Sequence, residues 1–346
     1  MTSRWMTAPL GAALLVSAFA PAPPPLPTQN ELAALSRTFD VPGAALAGLT
    51  ACEVDEPIVT AGMADLAKGT PVTPDTAFEA ASMSKPVFAW LVMALAEEGG
   101  IDLDRPFAED FDYPRIKDRE AYARLTPRLV LTHRTGLPNW ADSATRFDER
   151  RAPIPFEAPP GTAFVYSGEG FELLQAYVQA KTGKPLPTLF EERLGEVMPN
   201  STFVLPLPEG VTPSRGYARA SEPETGRDLD TLSQRGVAAA SLLTTAGDYA
   251  AFLSHVCKRE GLTPESYEAM LTPQSPAPDE AMETSWALGF MTVRTPDGLM
   301  IGHGGNNGEY RAFGGFLEGS GHGLVVLTNG ETGQAMIDAI IAPPAE

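Results

Sequence analysis

The chain has 346 residues, enough for one large domain or two intertwined ones with a sizeable core. Hydrophobic residues make up 43% and charged residues 20%, ordinary for a globular protein, and no apolar run is long enough to span a bilayer as a helix. The formal charge of −19, from 25 basic and 44 acidic side chains, repels phosphate backbones and anionic headgroups, so nucleic acid and membrane are poor partners. The acids are spread along the chain rather than gathered in a tail, and serve mainly to keep the protein in solution.

Arg4 is the only charge in the first 20 residues, and an apolar run over 8–20 follows it. Ala18-Phe19-Ala20 has the small-x-small pattern of a cleavage site, so 1–20 reads as a secretion signal cut near Ala20, or near Ala22 because Pro21 is awkward after a cut. An uncleaved anchor is the rival reading, against which the shortness of the run argues. The mature chain is expected to be secreted or periplasmic and to lack a membrane span. Residues 21–29 form a proline-rich tether.

A helix is predicted over 30–39, then short strands over 41–49 and 58–61. The clearest helix runs over 82–98, with Pro86 in its first turn and Gly99-Gly100 at its end. Residues 101–240 are rich in proline and loop, with helices near 126–132 and 169–182; another helix follows near 244–256. Strands are predicted over 287–293, 308–317 and 323–327, and a short helix over 335–341. This pattern implies a sheet domain assembled from 30–100 and 241–346, with a mainly helical, loop-rich domain of 101–240 inserted between. Cys52 and Cys257 are the only cysteines. Export would permit a disulfide, but so distant a pair does not predict one, and both read more readily as small buried hydrophobes.

Three motifs carry chemistry. In Ser82-Met83-Ser84-Lys85 a serine precedes a lysine by three residues, so at a helix start hydroxyl and amine share a face. Helix N–H groups there favour an oxyanion, and the apolar flanks bury the lysine, which must lose its proton to act as a base. Alone, the pattern reads more readily as an N-cap serine with a solvated lysine. The second motif is Tyr166-Ser167-Gly168, in a loop before a helix, where a phenol could approach a serine; alone it is a half-buried aromatic. The third, Gly302-His303-Gly304-Gly305-Asn306-Asn307-Gly308, enters a predicted strand with N–H groups open to an oxyanion, or is simply a tight turn.

In this order the three motifs resemble the serine β-lactamase and penicillin-binding-protein superfamily, in the branch of class C β-lactamases, D-Ala-D-Ala carboxypeptidases, D-aminopeptidases and esterases of that fold. Three further stretches share the resemblance: 98–104, Leu131-Thr132-His133-Arg134-Thr135-Gly136-Leu137-Pro138, and Thr244-Thr245-Ala246-Gly247-Asp248. It covers about 30–340 and implies an α+β, β-lactamase/transpeptidase-like fold, an antiparallel sheet flanked by helices. It also implies Ser82 as nucleophile, Lys85 and Tyr166 sharing the proton transfers, and an oxyanion hole of the Ser82 and Asn306 N–H groups beside Gly304 and Gly305. His303 fills the family's lysine position, where it could hydrogen-bond Tyr166 or a substrate carboxylate. No cofactor is implied.

Two features qualify the resemblance. Lys181-Thr182-Gly183 spells the family's third motif literally but falls at a helix end, and is a decoy. Gly168 stands where the branch carries the Asn of Tyr-x-Asn, which favours esters over β-lactams and peptides unless Glu169 or Asn306 compensates. The four histidines show no metal-ligand spacing; His133 is expected to brace a loop, and Glu97-Glu98 and Glu191-Glu192 to be solvated. The expected function is an exported serine hydrolase working by acyl transfer on a small-molecule ester, peptide or cell-wall-like substrate. A β-lactamase, a D-Ala-D-Ala carboxypeptidase or a D-aminopeptidase is one alternative, and a catalytically silent binding protein on the same scaffold another.

Overall fold

The computed structural model describes residues 26–142, 152–229, 235–276 and 283–341. The expected signal, its cleavage site and most of the tether lie outside these residues. Helix α1 (Gln29–Thr38) starts in a capping box in which Thr28 and Glu31 satisfy each other's backbone N–H. Strands β1 (Gly43–Thr50), β2 (Glu53–Val54), β3 (Val59–Asp65), β4 (Thr70–Pro71) and β5 (Thr76–Glu79) follow, then helix α2 (Ser84–Glu97). Next come α3 (Arg119–Tyr122), α4 (Pro127–Leu131), α5 (Gly168–Thr182), α6 (Leu186–Leu194), β6 (Thr212–Pro213), β7 (Leu243–Thr244), α7 (Ala246–Cys257) and α8 (Pro264–Leu271). The chain then runs through β8 (Ser275–Pro276), β9 (Thr284–Trp286), β10 (Met291–Thr295), β11 (Gly298–Asn306), β12 (Arg311–Leu317) and β13 (Gly323–Thr328) to α9 (Gly333–Ile341).

The large sheet has the order β4-β3-β1-β13-β12-β11-β10-β9-β8, with β2 paired to β1. Its neighbours are antiparallel throughout. Strand β1 is buried from Gly43 to Leu49 without alternation, because both faces of the sheet are covered. On one face α1 and α9 pack through Leu32, Met336 and Ile337 against Leu46 and Val326. The other face joins the main core, in which α2 is buried on every side from Ser84 to Leu95, as its all-round apolar sequence requires. This is the antiparallel sheet with flanking helices expected of a β-lactamase/transpeptidase-like α+β fold.

Three local expectations are corrected. The single strand expected over 287–293 is a hairpin. Strand β9 ends at Trp286, Ala287 N–H donates to the Phe290 carbonyl at 2.9 Å, and Gly289 turns the chain at φ 84° before β10. The turn residues Ala287, Leu288 and Phe290 are fully buried, so hydropathy carries no mark of the reversal. The glycine-rich 302–306 segment is not a turn but the end of β11; the turn comes at 307–310, delaying β12 to Arg311. Finally, Cys52 and Cys257 are paired in a disulfide across 205 residues. Helix α7 lies over β1, which brings its last residue against the turn that follows the strand.

Candidate active site

Strand β5 leads into the nucleophile turn, paired at Phe78↔Thr244 and Glu79↔Leu243 with β7. Ala81 takes a left-handed conformation at φ 51°, a strained position for a residue with a Cβ. A 3-10 turn over Ala81–Met83 follows and runs straight into α2. The turn is fastened by Ser84, whose hydroxyl donates to the Ala81 carbonyl at 2.6 Å and accepts from the Leu242 N–H at 2.9 Å. Tyr249 adds a hydrogen bond to the Met83 carbonyl at 3.0 Å. Between Thr76 and Leu95 only Ser82 is not buried, so the strain and the bracing serve to bring one hydroxyl to the surface of the cleft.

Lys85 Nζ lies 3.1 Å from Ser82 Oγ and donates to the Ala239 carbonyl at 2.8 Å. It is fully buried and sits 4.8 Å from the Tyr166 ring centre and 5.5 Å from that of Phe171. Burial brings its pKa down to about 7, with the charge of Glu172 on α5 pulling the other way. Tyr166 reaches the same serine: its phenol is hydrogen-bonded to the Ser82 side chain, while burial raises its pKa and keeps it protonated. His133, itself at φ 53°, fixes the tyrosine from both sides. Its carbonyl accepts from Val165 N–H at 2.8 Å, its Nδ1 accepts from Ser167 N–H at 3.0 Å, and its ring lies 4.3 Å from that of Tyr166. His133 is thus the loop brace that its sequence context implies.

Strand β11 forms the opposite wall. Pairing with β10 stops at Met291↔Gly302, so the edge of 303–306 on that side has no strand neighbour among the described residues and packs against the nucleophile turn. A Cβ on Gly305 would collide with the Ala80 carbonyl oxygen, so glycine is what lets β11 approach the chain two residues before Ser82. His303 is buried and neutral, its pKa lowered to about 3 by burial and then by the charge of Lys85. Its Nδ1–H donates to the Gly304 carbonyl at 2.6 Å, and its Nε2 has no partner among the described residues. The Tyr166 and His303 ring centres are 6.1 Å apart, and no hydrogen bond joins the two among the described residues.

Both expected substitutes for a carboxamide at 168 are engaged with other groups. Glu169 is buried, forked onto Arg115 at 2.7 and 3.0 Å and bonded to Ala141 N–H at 3.0 Å. Asn306 turns its Oδ1 onto the Gly308 N–H at 3.1 Å. Lys181-Thr182-Gly183 ends α5, with Gly183 the left-handed cap at φ 68° and Lys181 on Asp110. Glu97, Glu98, Glu191 and Glu192 are exposed. Among the described residues no cluster of His, Cys, Asp or Glu could hold a metal ion.

Sequence reasoning missed the groups that hold Lys85. Ala239 sits in a turn braced by Gln175, which donates to the Gly236 carbonyl at 3.0 Å and accepts from Ala238 N–H at 2.7 Å. Glu172, paired with Arg235 at 2.7 Å, lies one turn beyond Gly168 on α5. The only signal available was that Glu172 and Gln175 occur at helical spacing in the helix that Tyr166 precedes.

Fold and site together define a serine hydrolase of the β-lactamase and penicillin-binding-protein type. Residues 32–342 match the Beta-lactamase family, and the chain belongs to that family. Penicillin-binding protein 4 of Amycolatopsis lactamdurans is 24% identical over 356 residues, covering 92% of this chain and 93% of that protein. Esterase EstB of Burkholderia gladioli is 24% identical over 300 residues, 70% of this chain and 72% of the esterase. The D-amino acid amidase of Ochrobactrum anthropi SV3, solved with L-phenylalanine amide, shares the fold at a TM-score of 0.74 and 22% identity, covering 90% of this chain and 96% of the amidase. No helix among the described residues is long and apolar enough to cross a membrane.

Proposed function

We propose that the protein is an exported serine hydrolase that passes the acyl group of an ester, in preference to an amide, to water through an acyl-enzyme on Ser82. The observation that carries this reading is a fully buried Lys85 amine 3.1 Å from Ser82 Oγ with its pKa near 7. A lysine so placed is a base at neutral pH rather than a counter-ion. In acylation neutral Lys85 takes the Ser82 proton while Oγ bonds to the carbonyl carbon. The N–H groups of Ser82 and Asn306 hold the oxyanion, with Gly304 and Gly305 shaping the strand edge beside it. The carbon–oxygen bond of the leaving alcohol then breaks, and Tyr166 supplies its proton as Lys85 returns one to the phenol. Water repeats the sequence on the acyl-enzyme and releases the acid.

His303 contributes a neutral acceptor to this site, suited to a substrate N–H or O–H rather than a carboxylate. Gly168 weakens the β-lactamase and D-peptidase alternative, and the lowered pKa of Lys85 weakens the silent-scaffold one. The disulfide supports an oxidising compartment, secreted or periplasmic. We retain 101–240 as an inserted domain because, among the described residues, the large sheet draws its strands from before and after it.

The test is covalent. A fluorophosphonate is expected to label Ser82, with label and p-nitrophenyl ester turnover both lost in Ser82→Ala. Absence of labelling and of turnover in the parent protein would sink the proposal. Faster turnover of a chromogenic cephalosporin than of any ester would favour the β-lactamase reading instead.

A further inference from the structure

Gly168, the first residue of α5, lies two residues beyond Tyr166, and Ser167 between them is extended. The space its side chain would occupy is already taken. A Cβ built there would meet the benzo ring of Trp140, with Cζ2 and Cζ3 at 2.6 Å and Cη2 closer still. The half-buried indole is fastened in place through its chain neighbours. The Asn139 carbonyl accepts from Gly168 and Glu169 N–H at 3.1 and 3.0 Å, the Asn139 side chain accepts from Gly168 N–H at 3.0 Å, and Ala141 N–H donates to Glu169 at 3.0 Å. Glu169 is anchored in turn by Arg115. Both residues flanking Trp140 are therefore tied to the first turn of the helix that Tyr166 precedes.

Phe171, one helical turn beyond Gly168 on α5, has its ring 5.5 Å from Lys85 Nζ, so Gly168 and the indole against it lie on the face of the helix turned to the Ser82–Lys85 pair. We propose that Trp140 is the specificity-determining wall of the acyl subsite. It fills the place of a residue-168 side chain with its benzo ring, whose carbons admit small apolar acyl groups and give a polar one no hydrogen-bond acceptor. The substrate class that follows is an ester of a short, unsubstituted carboxylic acid. Because Gly168 and Trp140 share one volume, their substitutions must couple: a Cβ at 168 displaces the ring, and removal of the ring makes room for the Cβ.

This inference rests on the acyl-enzyme reading, and the experiment separates the two. Ser82 labelling and kcat/KM for p-nitrophenyl acetate and octanoate are measured for the parent protein, Trp140→Ala, Trp140→Phe, Gly168→Ala and the double variant Trp140→Ala/Gly168→Ala. The octanoate-to-acetate ratio is expected to rise about tenfold in Trp140→Ala and about threefold in Trp140→Phe. Gly168→Ala should lower acetate turnover in the parent background and have no effect on it in the Trp140→Ala background. An unchanged ratio in Trp140→Ala or Trp140→Phe, with Ser82 still labelled, overturns the assignment of Trp140. A parent protein that neither labels nor turns over either ester overturns the acyl-enzyme reading itself.

Discussion

Lys85 on α2 and His303 on β11 are two buried basic side chains on elements that meet at the Ser82 turn, and burial discharges both to different ends. Lys85 comes down only to about 7, because the Glu172 carboxylate opposes the loss of its charge. His303 has no carboxylate among the causes of its shift; burial and the positive charge of Lys85 both push it down, to about 3. One group therefore exchanges its proton around neutral pH while the other stays a fixed neutral acceptor. Desolvation sets the direction of a shift, and a compensating charge decides whether the group still titrates where the protein works.

The sharpest way to break this contrast is to remove each group. Lys85→Ala is expected to lower kcat/KM for esters about a thousandfold, whereas His303→Gln, which keeps a neutral acceptor, should stay within about tenfold of the parent. Equal losses in the two would end the distinction. The pH profile comes next. In the free enzyme kcat/KM should fall tenfold per pH unit below about 7 as Lys85 takes up its proton, with the limb unmoved in His303→Gln. A limb displaced by that substitution would assign it to the wrong group.

Stability offers a measure independent of turnover. The folded-state pKa of Lys85 lies below its ordinary 10.5, so between about 7 and 10.5 the unfolded chain holds a proton that the folded chain has released. Stability contributed by this group therefore rises with pH across that window, and the full penalty of the buried charge is present below it. Lys85→Met should be more stable than the parent at pH 6 by up to about 4 kcal/mol, with a flatter dependence from pH 7 to 10, as read by denaturant melts. The smallest effect is expected from Glu172→Gln. Loss of the opposing charge should move the acid limb down by about half a pH unit, and an upward shift would contradict the role given to Glu172.

Much of this was legible in sequence because it is local. The helices α1, α2, α5, α7 and α9 follow from hydrophobic spacing and caps, and Ser82 and Lys85 share a face because of their three-residue separation. Gly183 betrayed the decoy as a helix end. The β9–β10 hairpin was not legible, since a buried turn has the hydropathy of the strand around it. Nor was the disulfide, because a separation of 205 residues carries no information about distance. Glu172, Gln175 and the Ala239 carbonyl were invisible for a related reason: the carbonyl that accepts from Lys85 is a backbone atom with no side-chain signature, Gln175 acts by bracing the turn that holds it, and Glu172 acts on Lys85 through its charge.

The sequence by itself determined the order Ser82, Lys85, Tyr166, His303, and with it the family and the chemistry those side chains can perform. It also marked Gly168 as a departure, a vacancy in the motif. Only the tertiary structure decided what stands there, and what state the bases are in. Trp140 reaches Gly168 from 28 positions earlier in the chain, and the proton affinities of Lys85 and His303 depend on the groups packed around them. Spacing along a chain fixes which groups share a helix face, whereas exclusion of water and the meeting of distant segments exist only once the core has closed.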